Sequence, residues 1–234
     1  PIADIGQVSL KQIFSEPSYK SLGGNPVQKI AVTKLLLAIS QAAYTPQDNE
    51  DWVKISAEGI AEKCLNYLKK WHDSFWLYGD KPFLQMPETI TAKEQPFGAV
   101  LPEIATGNTT VLIQSQLERQ LSDAERAMLI VVLMGFGLGG KKTDNSVVLT
   151  QGYIGKMNDK GKPSTGKPGS SIGFLGYMHN FLQADYLLSS IWLNLLTVEQ
   201  IEELGIFSNG LGVAPWHAMP TGEEDSIAKA LQQS

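Results

Sequence analysis

Apolar residues recur every three or four positions between residues 26 and 44, which is the spacing of one buried face of an α-helix. Asn25 followed by Pro26 is a typical helix start, because asparagine caps the first turn and proline is tolerated at its first position. We expect this helix at the centre of the core. The positions predicted to be buried are Val27, Ile30, Ala31, Leu35, Ala38, Ile39 and Ala42, with Leu36 and Leu37 widening the face.

Three further segments have helical spacing of apolar residues. We predict helices over residues 57–78, 123–134 and 181–196, with Gly79 as the C-cap of the first of these. Residues 5–14 alternate loosely and predict a short strand or an entry turn, and residues 109–114 are β-prone. The predicted fold class is therefore α+β: a helix-rich single domain with short strands and a long Gly/Lys-rich loop.

Two sequence patterns mark helix starts. Ser122 is followed three residues later by Glu125, and Thr197 by Gln200. Each pair is a capping box, in which the two side chains bond to each other's backbone N–H groups. The second box is predicted to open a short helix that ends at Gly205.

Residues 135–176 differ from the rest of the chain in composition. They hold eleven of the chain's 22 glycines and six of its lysines, against two aspartates, in a chain whose net charge is −5. Glycine allows close approach of the backbone to another surface, and lysine beside exposed N–H groups suits a phosphate. An anion-binding loop is one interpretation, and a solvated surface linker is the other.

The overall composition is that of a folded globular protein of 234 residues, with 43% hydrophobic and 18% charged residues. No apolar run is long enough for a transmembrane helix. Cys64 is the only cysteine, so no internal disulfide can form, and we expect a cytoplasmic protein. With three scattered histidines, the chain predicts no metal site and no cofactor.

Two nucleotide-binding patterns occur in the wrong context. GFGLGG at 135–140 matches a dinucleotide fingerprint, but a predicted helix precedes it where a strand is required. GKPSTGKP at 161–168 resembles a phosphate-binding P-loop, yet Pro168 replaces the hydroxyl residue that would hold Mg²⁺. Neither pattern predicts a nucleotide site.

A hydrolase is the enzymatic alternative. GSSIG at 169–173 places Ser171 in a nucleophile-elbow pattern, and Asp185 and His217 follow in the order of α/β-hydrolases. The segment before it, KPSTGKP, is unsuited to the buried strand that an elbow requires. We therefore favour a Ser/Gly turn and a protein that is not an enzyme.

Several segments, in order along the chain, resemble the large subunit of type I-E CRISPR Cascade complexes, the CasA family. The matching segments are NPVQKIAVTKLLLAISQAAYTP (25–46), DSFWLYGDKPFLQMP (73–87), GNTTVLIQ (107–114), the helix into GFGLGGK (127–141), DYLLSSIWLNLLT (185–197) and APWH (214–217). The resemblance implies that residues 1–234 are part of the N-terminal domain. It also implies that the family's C-terminal four-helix bundle, lysine finger and strand-separating wedge lie beyond Ser234.

The resemblance implies a role without catalysis. The family's large subunit works with the other Cascade subunits and the CRISPR RNA, and it inspects double-stranded target DNA for the protospacer-adjacent motif. It also aids strand separation and helps to recruit the helicase-nuclease effector. A pure scaffold subunit is the other non-enzymatic alternative.

The resemblance also assigns candidate DNA-contacting residues. The family's glycine loop, which lies against the minor groove of the motif, falls on Gly135, Gly137, Gly139 and Gly140, with Lys141 and Lys142 beside it. A second family loop, which engages the guide handle, corresponds to Val111, Leu112 and Ile113, where the motif residues differ. Additional phosphate contacts are predicted at Lys156, Lys160, Lys162 and Lys167.

Overall fold

The computed structural model describes residues 1–85, 120–135, 159–161, 178–205 and 210–218, with single residues at 90, 94 and 157. Six α-helices and one 3₁₀ turn (His72–Phe75) lie in these ranges. The helices are α1 Leu10–Ser15, α2 Pro26–Ala43, α3 Asn49–Lys70, α4 Asp123–Gly135, α5 Leu187–Leu193 and α6 Val198–Leu204.

The predicted helix starts at α2, α4 and α6 are confirmed. The Asn25 side chain accepts a bond from the Gln28 N–H at 2.9 Å, and Gln28 bonds back to the Asn25 N–H at 3.1 Å. The same reciprocal arrangement opens α4 at Ser122 and α6 at Thr197. α6 ends at Gly205 with φ 63°, as the glycine C-cap predicts.

The helix predicted over residues 57–78 has different limits. α3 begins at Asn49 behind an Asp48 cap and contains one non-helical residue, Ser56, with φ 55° and ψ 176°. The predicted start at residue 57 therefore lies directly after this kink, so the prediction included only the second part of α3. α3 ends at Lys70 with Trp71 as its C-cap, so the assignment of Gly79 as C-cap was wrong.

The helix predicted over residues 181–196 is shorter, because α5 spans only Leu187–Leu193. The preceding backbone is bound by side chains instead of helical hydrogen bonds. Asn194 accepts from the Leu182 N–H at 2.9 Å and donates to the Leu182 carbonyl at 2.8 Å. The Ser190 hydroxyl likewise accepts from the Ala184 N–H. An apolar sequence therefore remains extended next to α5.

Residues 10–15 form a helix where the sequence suggested a strand or a turn. Within the described ranges, β-structure is limited to isolated bridges, such as those that Ile2 forms with Gly6 and with Leu22. The helix-rich character is therefore confirmed. The short strands of the predicted α+β class are not observed in this part of the chain.

The core lies where α2 meets its neighbours. α2 contacts α3, α4 and α5, and α3 also contacts α1. The buried face of α2 is centred on Leu36 and Ile39, both fully buried, and not on Leu35. Ala38 and Ala42 are exposed, so their assignment to the buried face was wrong. The apolar run of α2 is compatible with more than one buried face, and contact with α3, α4 and α5 selected the face that is observed.

None of the helices in the described ranges combines the length and the apolar character needed to cross a bilayer.

Candidate nucleic-acid interface

The structure describes two of the predicted DNA-contacting residues. Gly135 is the last residue of α4, and Lys160 is an exposed residue in a turn beside Gly161, whose φ is 68°. The other candidates lie outside the described residues: Gly137, Gly139, Gly140, Lys141, Lys142, Val111, Leu112, Ile113, Lys156, Lys162 and Lys167. The structure therefore describes the candidate interface at Gly135, where the glycine-rich segment begins, and at Lys160.

Gly135 brings the end of α4 into close contact with α2. A Cβ atom added to Gly135 would lie 3.2 Å from Ala31 Cβ and 3.4 Å from Ala31 Cα. The first separation is shorter than the optimal contact of about 3.5–4.0 Å between carbon atoms. A side chain at this position would therefore have to displace Ala31 by a few tenths of an ångström, and glycine allows the close packing of α4 on α2.

Lys34 makes the second contact at this point. Its Nζ donates a hydrogen bond to the Gly135 carbonyl at 3.0 Å. A cation at a helix C-terminus is favourable, because the last carbonyls lack helical partners and carry the negative end of the helix dipole. Burial lowers the pKa of Lys34 from its usual value. The start of the glycine-rich segment is thus held on α2 by one steric contact and one hydrogen bond.

The sequence contained a signal for Lys34 that we did not use. Lys34 is the only charged residue in the apolar run AVTKLLLAIS of α2. A lysine that is partly withdrawn from water needs an acceptor for its ammonium group. That requirement predicts a partner for Lys34, although the sequence does not indicate which one.

An aromatic cluster attaches residues 210–218 to α3. The His217 ring stacks on Trp71 with centroids 3.7 Å apart, and its Nε2 lies 2.5 Å from the Tyr67 hydroxyl. Trp216, which is 7% exposed, donates its indole N–H to the same hydroxyl at 2.6 Å. Trp216 therefore anchors this segment to α3, with Tyr67 as its partner.

This cluster bears on the hydrolase alternative. The Tyr67 hydroxyl accepts from Trp216, burial raises its pKa so that it keeps its proton, and it forms a hydrogen bond with His217 Nε2. Burial, followed by the charge of Lys70, lowers the pKa of His217 and favours the neutral ring. Nε2 is therefore occupied by a tyrosine, whereas a triad needs it for the serine. Ser171 itself lies outside the described residues, and Asp185 is exposed.

An apolar groove of about 530 Å³ lies between α1, α2 and α4. Most of its lining is aliphatic, including Val32, Leu35 and Met128. Two of the three polar side chains in the lining, Gln28 and Glu125, are engaged in the caps of α2 and α4. The groove offers hydrophobic contact, and these two groups already have a structural role.

Comparisons with known proteins identify the family. The family model for CRISPR-associated protein Cse1 matches residues 3–233. CasA/Cse1 from Thermus thermophilus is 29% identical over 125 residues, which cover 50% of this chain and 24% of the relative.

The fold agrees with a solved structure. The crystal structure of Thermobifida fusca Cse1 superposes with a TM-score of 0.68 and 22% identity, covering 97% of this chain and 42% of that one. This chain therefore spans less than half the length of either protein. Since the Cse1 model matches nearly every residue, the chain belongs to the CRISPR-associated Cse1 (CasA) family.

Proposed function

We propose that this chain is the DNA-inspecting part of the large subunit of a type I-E Cascade complex, an RNA-guided surveillance complex of antiviral defence in the cytoplasm. In this role it recognises the protospacer-adjacent motif in duplex DNA, aids strand separation and helps to recruit the helicase-nuclease. The match of the Cse1 family model to residues 3–233 carries the proposal. The other Cascade subunits and the CRISPR RNA are its partners.

The glycine-rich segment after α4 is the proposed reading element. Gly137, Gly139 and Gly140 lack side chains, so their backbone is able to enter the minor groove, which is only about 6 Å wide. Lys141 and Lys142 follow directly and neutralise phosphates on either side of the groove. The contacts of Gly135 with α2 support this proposal, because a reading element requires a fixed starting point.

The remaining candidates extend the interface. Val111, Leu112 and Ile113 are proposed to engage the guide-handle end of the complex. Lys156, Lys160, Lys162 and Lys167 add sequence-independent phosphate contacts. A net charge of −5 is compatible with this role when one basic face meets DNA and the partner subunits supply most of the affinity.

The test separates motif reading from phosphate attraction in the assembled complex. Binding is measured with matched duplexes that carry a correct or an incorrect motif, at several salt concentrations. Gly139→Asp is expected to abolish discrimination between the two duplexes. Lys141→Ala with Lys142→Ala is expected to weaken both duplexes equally and to reduce the salt slope by about two units.

The control for the Lys141 and Lys142 variant removes two positive charges from a different part of the protein. Lys54 and Lys69 are exposed residues of α3, and replacing both with alanine should leave the affinity for both duplexes and the salt slope unchanged. If Gly139→Asp retains full discrimination, the glycine-rich segment is a connector and the reading role is wrong. If the wild-type assembly binds no duplex through this subunit, the chain is a scaffold.

A further inference from the structure

The end of α4 is bonded to a neighbouring helix of the core. The last carbonyls of an α-helix have no intrahelical partner, so they accept hydrogen bonds from other groups. Gly135 is the last residue of α4, and the Lys34 side chain of α2 donates a hydrogen bond to its carbonyl.

This arrangement places a constraint on the chain that follows. Lys34 and Gly135 are 101 residues apart in sequence, so their bond fixes the end of α4 relative to a central helix of the core. The Ala31 contact fixes the same end sterically. With both contacts in place, the last residue of α4, from which the glycine-rich segment continues, is fixed relative to α2.

We propose that Lys34 is a positioning residue for motif recognition, because it holds Gly135 against Ala31 and so determines where the glycine-rich segment meets the DNA groove. This inference rests on the proposed function. Lys34 differs in kind from Lys141 and Lys142, since its ammonium group is bonded within the protein. Loss of the Lys34 ammonium group therefore changes discrimination between motifs. It leaves the sequence-independent attraction to phosphates unchanged.

The first experiment replaces the donor. Lys34→Met keeps the length and the apolar stem of the side chain but removes the ammonium group, and Lys34→Arg keeps a charged donor. In the assembled complex, Lys34→Met is expected to reduce motif discrimination about tenfold, the order expected for one charge-assisted hydrogen bond. The salt slope should stay unchanged, and Lys34→Arg should restore most of the discrimination. Lys29→Met, at an exposed position of α2, is the matched control.

The second experiment tests the steric contact without altering charge. Gly135→Ala is expected to reduce discrimination, because its new Cβ displaces α4 from Ala31. Adding Ala31→Gly removes the methyl group that it meets, and should recover discrimination in the double variant. Gly135→Ala and the double variant therefore test the positioning role even if Lys34→Met prevents assembly of the complex. A cooperative thermal unfolding transition shows which variants are folded.

The outcomes distinguish this inference from the function on which it rests. If Gly139→Asp abolishes discrimination while Lys34→Met and Gly135→Ala do not alter it, the segment reads the motif and the positioning role is wrong. A changed salt slope in Lys34→Met would also overturn it, because Lys34 would then contact phosphate directly. Failure of Ala31→Gly to recover discrimination lost in Gly135→Ala contradicts the steric part. If Gly139→Asp has no effect, the proposed function itself is wrong.

Discussion

Trp52 of α3 and Trp192 of α5 stack with their ring centroids 4.1 Å apart and their planes inclined by 12°. Each indole also donates its N–H to the backbone carbonyl of the other residue, at 3.1 Å and 3.0 Å. The pair therefore joins two helices by a ring contact and two hydrogen bonds. It fixes the seven-residue α5, which is too short to be stable alone.

Removing one indole N–H should weaken the contact between α3 and α5. Trp52→Phe retains an aromatic ring but loses the donor to the Trp192 carbonyl, and we expect a loss of about 1–2 kcal/mol in the free energy of unfolding. Urea denaturation measures the change. Trp76→Phe is the control, since Trp76 is 57% exposed and its indole donates to the exposed His72. An equal effect of both variants would show that the Trp52–Trp192 bond contributes little.

The centre of the α2 face can be tested with two adjacent leucines. Leu36 is fully buried, whereas Leu35 is half-buried and lines the apolar groove. Leu36→Ala should lower the free energy of unfolding by roughly 2–5 kcal/mol, because it leaves a cavity in the core. Leu35→Ala should cost distinctly less. The reverse order, measured by urea denaturation, would return the centre of the face to Leu35.

The Cys64 thiol should report unfolding. It is fully buried and donates to the Ser40 hydroxyl at 3.4 Å, and burial raises its pKa to about 11. About one thiol in a thousand is then ionised at pH 8, and alkylating agents react with the thiolate. We expect iodoacetamide labelling, followed by mass spectrometry, to be very slow until urea unfolds the chain. A thiol introduced by Ser15→Cys at an exposed position should label at once, and rapid native labelling of Cys64 would contradict its burial.

Stability should decrease on mild acidification through His217. Its pKa is lowered in the folded protein by burial and by Lys70, so the unfolded chain, with a pKa of about 6.5, binds the proton more readily. The contribution of His217 is complete above that pH and is lost progressively as the pH falls below it.

The measurement is the urea midpoint between pH 7.5 and pH 5.5. His217→Phe keeps a ring on Trp71 but does not titrate, so its midpoint should depend less on pH than that of the wild type. His72→Phe is the control, because His72 is an exposed residue and should leave the dependence intact. An unchanged pH dependence in His217→Phe would assign the effect to other groups.

The sequence alone determined where three helices begin. Asn25 with Gln28, Ser122 with Glu125 and Thr197 with Gln200 each bond across three residues. Such contacts form within one turn of the chain, so their partners are visible in the sequence before any tertiary contact is known. The same holds for Gly205, whose positive φ a glycine adopts without strain. The ordered segments that resemble the CasA family were also sufficient to indicate the family that the comparison confirmed.

The tertiary structure alone decided which distant groups meet. Lys34 and Gly135, Trp52 and Trp192, and Tyr67 and His217 are separated by 101, 140 and 150 residues. The periodicity of an apolar run shows that a face is buried but not which helix covers it, and this is why Ala38 and Ala42 were wrongly assigned to the buried face of α2 and the limits of α5 were misplaced. The contact of Gly135 with Ala31 was likewise beyond the sequence, because it depends on how closely two helix backbones approach.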